Sequence, residues 1–106
     1  MTGHSRGDLV TFKRRPALVV EADNLKSGIP QIVISMITSN LTRRGHPSRV
    51  FIALDSIEAR EAGRRTDSII MTDNLATVLE KAIAAKLGHL KILAAVDAAL
   101  RHTLAL

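Results

Sequence analysis

The stretch QIVISMIT, residues 31–38, decides the fold. It is short, almost continuously apolar and rich in β-branched residues, which favours a strand covered on both faces. Loop-forming residues flank it, with Ser27-Gly28 before it and the polar segment SNLTRRGHPS (39–48) after it. The pattern therefore predicts a central strand that ends where the polar segment begins.

Further strands are predicted on both sides of this one. The strand predictions cover residues 6–12, 16–20, 49–55 and 68–78. Pro16 cannot donate to a strand ladder, so it belongs at a strand start or edge. Residues 57–66 fit either a short helix or an ordered loop that stops at Gly63.

The tail from Lys91 predicts a helix. Its apolar residues are spaced three and four apart and predict one stripe packed inward: Leu93, Val96, Leu100 and Leu104. Successive strands joined by short turns and followed by a packing helix indicate an α+β fold built on a small barrel. A length of 106 residues suits a single domain, and we predict one over residues 1–106.

The charge of the chain is uneven. Residues 1–53 hold eight lysines and arginines against three acidic residues, whereas residues 54–106 hold seven of each. This asymmetry predicts an oriented positive face and an anionic partner, with a merely soluble basic surface as the alternative. No apolar run approaches the ~18 residues of a membrane span, and the first residues are polar, so we expect a cytoplasmic protein without a membrane role.

The sequence lacks the motifs of several common kinds of functional site. There is no cysteine, which excludes disulfides and thiolate metal sites. The four histidines lack ligand spacing, and Asp55, Glu58 and Glu61 fit a solvated helix face better than a hard-cation site. No phosphate-binding glycine loop, GxSxG or HExxH motif occurs, although residue order leaves a Ser–His–Asp combination open. We expect no cofactor and no metal.

Two basic clusters favour nucleic acid. One is Lys13-Arg14-Arg15, and the other joins Arg43-Arg44 to His46 and Arg49. Guanidinium groups match phosphate oxygens with two donors. Phe12 and Phe51 are the only candidate stacking rings and fit core positions, so binding would rest on arginine. The alternative for the first cluster is a solvated hairpin turn.

Short motifs spread over almost the whole chain carry a family resemblance. In order they are Arg6-Gly7-Asp8, Arg15-Pro16-Ala17-Leu18-Val19-Val20, Ile37-Thr38-Ser39, Thr66-Asp67-Ser68-Ile69-Ile70, Leu87-Gly88-His89-Leu90 and Val96-Asp97-Ala98-Ala99-Leu100. Together they resemble the MazF/PemK family of toxin endoribonucleases. The resemblance implies an SH3-like barrel of the MazF, CcdB and Kid type with a C-terminal helix. It also implies a homodimer, a cognate antitoxin peptide, and metal-independent cleavage of single-stranded RNA.

The same resemblance assigns roles to residues. It implies that Arg15, Thr38 and Asp73 are catalytic, with Asp73 a base or an orienter of Arg15. The expected RNA-binding positions are Lys13, Arg14, Ser39, Asn40, Arg43 and Arg44.

The chain also departs from the family pattern. The long loop that the family has between its first two strands is replaced by a direct run from Phe12 into Lys13. Met71 stands where some members have an arginine, and Ala76 stands where the family often has one. Two other functions remain open: a CcdB-like gyrase inhibitor acting through the last helix, and a non-cleaving RNA-binding module.

Overall fold

The central strand appears as predicted, at Gln31–Thr38, in a computed structural model that describes residues 3–25, 27–53, 66–91 and 93–106. The strands are β1 (Asp8–Phe12), β2 (Arg15–Val19), β3 (Gln31–Thr38), β4 (Arg49–Ile52), β5 (Ser68–Leu79) and β6 (Ile83–His89). A short 3-10 helix (Glu80–Ala82) joins β5 to β6, and the helix α1 spans Ala94–Leu104.

All six strands form one antiparallel sheet in the order β4-β5-β3-β2-β1-β6. The strand β3 lies between β5 and β2, which confirms its central place. Within the described residues the edge strands β4 and β6 do not pair with each other, so the sheet is barrel-like but open. The predicted α+β class with a C-terminal packing helix is confirmed.

Apolar residues fill both faces of the sheet because strand side chains alternate between faces. On the helix face the buried cluster is Leu9, Leu18, Ile37, Ile52, Ile70, Leu90 and Val96. On the opposite face it is Val10, Ala17, Val19, Ile32 and Ile34. Arg6 fixes the helix against the strands, since its guanidinium donates to the Val20 carbonyl and pairs with Asp97 of α1.

The sequence-based elements agree with this fold in most places. The helix stripe is buried at Val96 and partly buried at Leu93 and Leu100, but Leu104 is 50% exposed, so the prediction that it packs inward was wrong. The strand β6 was not predicted. The alternatives for residues 57–66, and the acidic trio in that region, lie outside the described residues. No described helix is long and apolar enough to cross a membrane.

A buried carboxylate joins the first strand to the last. Asp8 is 1% exposed and accepts a hydrogen bond from the Ser5 amide at 2.9 Å. Its Oδ1 lies 2.7 Å from His89 Nδ1 and 3.4 Å from Lys86 Nζ, both on β6. Burial raises the pKa of Asp8, but the Ser5, His89 and Lys86 contacts outweigh it and lower the pKa below its ordinary value.

This lowered pKa predicts an acid-sensitive contribution to stability. A carboxyl whose pKa falls on folding stabilises the folded state above its unfolded pKa of about 3.9, and this contribution is lost as pH falls through the folded value. We expect Asp8→Asn to lower the free energy of unfolding by about 1–3 kcal/mol at pH 7. Below about pH 4 the difference from wild type should shrink.

Urea denaturation at pH 7 and pH 3 measures both effects. Glu21→Gln removes an acidic charge outside this network and serves as the control. Equal unfolding free energies for wild type and Asp8→Asn at pH 7 would contradict the prediction.

Candidate active site

The strand register relates Arg15 of β2 to Thr38 of β3. In the β2–β3 pairing, Ala17 lies opposite Met36 and Leu18 lies opposite Ser35. Continuing this register by two residues places Arg15, the first residue of β2, opposite Thr38, the last residue of β3. Directly opposed residues have Cβ atoms about 4.5–5.5 Å apart.

Alternation along the strands puts both side chains on the face opposite the helix. Arg15 shares its face with Ala17 and Val19, and Thr38 shares its face with Ile34. The guanidinium and the hydroxyl therefore lie on one side of one sheet edge, where their donors can reach a common ligand.

A tight turn fixes the position of Arg15. The β1–β2 hairpin closes with Phe12 opposite Arg15, leaving Lys13 and Arg14 as the two loop residues. Both have positive φ, 50° and 64°, as a type I′ turn requires. Arg15 is exposed, and no ion pair to it occurs among the described residues. Its charge is free for an anionic ligand.

The backbone after β3 orients the Thr38 hydroxyl. The amide of Asn40 donates to Thr38 Oγ1 at 3.0 Å. Asn40 Oδ1 in turn accepts from the Thr42 amide at 3.0 Å and from its hydroxyl at 2.6 Å. Because Thr38 Oγ1 accepts here, its own hydrogen remains available to donate to a ligand. Ser39 and Asn40 are exposed beside it.

Asp73 has a different partner from the one predicted for an orienter of Arg15. Arg49 Nε lies 2.8 Å from Asp73 Oδ1, and Arg49 Nη2 donates to Oδ2 at 3.1 Å. The Arg49 hydrogen bond is the main cause that lowers the pKa of Asp73, with burial opposing it. A β-bulge brings the carboxylate out of the ladder, since only Met36 of β3 faces residues 71–74 of β5.

The loop between β3 and β4 holds the second basic cluster. Arg43 and Arg44 lie exposed in consecutive turns. The Arg44 amide donates a hydrogen bond to the Leu41 carbonyl, and the His46 amide donates one to the Arg43 carbonyl. The loop is tied to β5 because the Ser48 carbonyl accepts from the Thr72 amide and hydroxyl.

Phe51 corrects the expectation that both phenylalanines belong to the core. Its side chain on β4 is 37% exposed, and Arg44 Cζ lies 5.3 Å from its ring centroid. Phe12 does pack against a core cluster, and Lys13 Nζ lies 5.3 Å from its ring.

The structure thus brings together some predicted residues and separates others. The extended β2–β3 register sets Arg15 opposite Thr38, Lys13 and Arg14 form the adjoining turn, and Asp73 is held by Arg49. The sequence did not reveal the Arg49–Asp73 pair, because no spacing rule predicts a contact set by the β4–β5 register. No group of three or more metal-binding side chains occurs in the part of the chain that the structure describes.

A cavity of about 700 Å³ lies elsewhere, near the end of β2 and the start of β3. Glu21, Asp23 and Glu80 are among its lining residues, and neither Arg15 nor Thr38 is. Three carboxylates disfavour an anionic ligand there.

The sequence of this chain matches one protein family. The model of the PemK-like, MazF-like toxins of type II toxin–antitoxin systems matches residues 6–104. Endoribonuclease EndoA of Bacillus subtilis (strain 168) is 29% identical over 94 residues, which cover 87% of this chain and 77% of that protein.

Solved structures share the fold. An endoribonuclease from a mycobacterial species superposes with a TM-score of 0.80 at 19% identity, covering 100% of this chain and 95% of that one. A mycobacterial endoribonuclease in complex with its cognate antitoxin gives 0.79 at 18% identity, with 98% and 97% covered. A MazE–MazF structure (Form-I) from Deinococcus radiodurans gives 0.73 at 21% identity, with 97% of each chain covered.

The positive φ angles of Lys13 and Arg14 predict a stabilising substitution. A left-handed conformation costs an ordinary residue roughly 1–2 kcal/mol, whereas Asn-Gly adopts the type I′ turn readily. We expect the double variant K13N/R14G to raise the free energy of unfolding by about 1–2 kcal/mol. The variant K13Q/R14Q removes the same charges without relieving the backbone and should show no such gain.

Urea denaturation of both variants measures the effect. An equal gain in the two variants would assign it to charge removal and contradict the strain argument.

Proposed function

Because the chain belongs to the PemK-like, MazF-like toxins of type II toxin–antitoxin systems, we propose that it is an endoribonuclease that cleaves single-stranded RNA. The observation that supports this most directly is the placement of Arg15 opposite Thr38 on one face of the sheet. A guanidinium that has no ion pair among the described residues and an oriented hydroxyl on a basic surface suit a phosphodiester.

The proposed reaction uses the nucleophile that RNA itself supplies. The ribose 2′-oxygen forms a bond to the adjacent phosphorus while the bond from phosphorus to the 5′-oxygen breaks. The products are a 2′,3′-cyclic phosphate and a free 5′-hydroxyl. The 2′-hydroxyl gives up its proton, and the leaving 5′-oxygen gains one. Neither a protein nucleophile nor a metal ion is required by this chemistry.

Arg15 and Thr38 would stabilise the charge that develops on the phosphoryl oxygens. Arg15 offers several donors in a fixed plane and stays charged, so it serves better as a donor than as a base. Thr38 would donate its hydroxyl hydrogen, because the Asn40 amide already occupies a lone pair on its oxygen. Removing a preorganised donor of this kind typically costs ~2.7–4 kcal/mol of transition-state stabilisation.

Asp73 has two candidate roles in this reaction, as a proton acceptor or as a positioning residue for Arg49. As a proton acceptor it is ionised at neutral pH, but the Arg49 contact that lowers its pKa also makes it a weaker base. Its two contacts with Arg49 also make it an anchor that positions that guanidinium towards the RNA.

We also propose protein partners and a cellular location. One similar structure is described as an endoribonuclease in complex with its cognate antitoxin, and we propose a cognate antitoxin peptide for this chain as well. We propose a homodimer as well, as the resemblance to this toxin family implies. A cytoplasmic location fits an RNA substrate.

The central prediction is metal-independent cleavage that needs both site residues. Incubated with single-stranded RNA in excess EDTA, the wild type should produce fragments with 5′-hydroxyl ends. Arg15→Ala and Thr38→Ala should each lower kcat about 10²–10³-fold, because each loses a transition-state donor. Thr38→Ser keeps the hydroxyl and should retain more activity, and Arg101→Ala on α1 controls for lost positive charge.

The outcomes separate the open functions. Absence of cleavage by wild type, or equal cleavage by wild type and both alanine variants, would overturn the proposal. RNA binding without cleavage would indicate the non-cleaving module, and stabilised gyrase–DNA cleavage without RNA loss would indicate the gyrase inhibitor.

A double-mutant cycle distinguishes the two roles of Asp73. If Asp73 only positions Arg49, then Asp73→Asn, Arg49→Gln and the double variant should lower kcat/KM by the same factor. If Asp73 takes the proton, Asp73→Asn should lower kcat well beyond Arg49→Gln. Single-turnover cleavage rates measure the difference.

A further inference from the structure

Phe51 is an exposed aromatic ring in an otherwise aromatic-poor protein. The chain has two phenylalanines and no tryptophan or tyrosine. Phe51 is 37% exposed on the edge strand β4, with the Arg44 guanidinium 5.3 Å from its ring centroid. The core does not account for this ring, since its strand neighbours Val50 and Ile52 are the ones that join the helix-side cluster.

Strand registers place Phe51 in line with the candidate active site. Phe51 lies opposite Ile69 of β5, and Ile69 lies opposite Thr38 of β3. Opposed residues share a face, so Phe51 and Thr38 point to the same side of the sheet. They are two strand spacings apart, about 9–10 Å between Cα atoms. Arg15 follows Thr38 in the same row.

The surroundings of the ring favour a nucleic-acid ligand. Arg43 and Arg44 lie in the adjoining loop, and Arg49 is on the same strand. An apolar partner would leave the charges of Arg43 and Arg44 without a match, whereas a nucleotide offers a flat base for the ring and a phosphate for the guanidinium.

We propose that Phe51 is a stacking platform for a base that flanks the cleaved phosphate, with Arg44 contacting the neighbouring phosphate. This subsite rests on the proposed RNA substrate and deepens it by assigning a specificity-determining position. The Arg44 guanidinium covers part of the ring in the free protein and moves to the phosphate when the base stacks.

Binding can be tested without cleavage. The probe is a labelled 2′-O-methyl single-stranded RNA pool of random sequence, which lacks the nucleophile, and fluorescence anisotropy gives its Kd. Phe51→Ala should weaken binding about tenfold, in the range of one base–aromatic stack. Phe51→Trp should preserve the affinity, and Phe51→Leu should lose it, because leucine is apolar but has no π face.

A matched control separates stacking from general loss of apolar surface. Leu25 is 54% exposed and lies beyond the far end of β2, away from Arg15. Leu25→Ala should bind the RNA pool as wild type does. On a long cleavable RNA, Phe51→Ala should raise KM more than it lowers kcat, and mapping the 5′-hydroxyl ends should show relaxed base preference at one position beside the cut.

The results distinguish this inference from the proposed function. Wild-type cleavage together with an unchanged Kd and cut-site profile for Phe51→Ala would overturn the stacking subsite alone. Weaker RNA binding by Phe51→Ala without any wild-type cleavage would support the subsite and overturn the proposed reaction. An acidic peptide serves as a second probe in the same anisotropy assay. If Phe51→Ala loses binding to this peptide but binds RNA as wild type does, the ring belongs to a protein partner and the subsite is overturned.

Discussion

The register between β2 and β3 is the constraint on which the candidate site depends. Ala17 opposite Met36 fixes Arg15 opposite Thr38, and alternation puts both on the face away from the helix. A slip of one residue would turn Arg15 to the other face, because side chains alternate with a period of two. The buried residues of β2 and β3 specify this register, so the same packing that stabilises the sheet also positions the two donors.

The site divides its positive charges between two tasks. Arg49 is neutralised by Asp73 through two contacts, which holds its side chain in place. Arg15 has no such partner among the described residues and keeps its full charge for a ligand. A carboxylate beside Arg15 would cancel the field that a phosphate needs. The β5 bulge lies where Asp73 pairs with Arg49 of β4, so the one carboxylate of the candidate site neutralises Arg49 and not Arg15.

The local sequence pattern predicted the strands and the helix better than it predicted the contacts within the candidate active site. The bounds of β3 followed from its apolar run, and the helix followed from its spacing. The strand β6 was missed because IAAKLGH has four exposed residues and pairs with β1 across a large sequence separation. Phe51 was wrongly assigned to the core since alternation fixes a face but not whether anything covers it. The Arg49–Asp73 pair depends on a register and a bulge that no local pattern encodes.

The short β1–β2 turn changes where base recognition can occur. The family resemblance implies a long loop between these strands that helps to read RNA, whereas here two residues in a left-handed conformation close the hairpin. Such a turn restricts the position of Arg15, but its two residues are too few to enclose a base. The ordered loop between β3 and β4, with Phe51 beside it, lies across the sheet from that turn. In the proposed RNA complex, the Phe51 ring would place base contact on the β4 side of Thr38 rather than on the β1–β2 side.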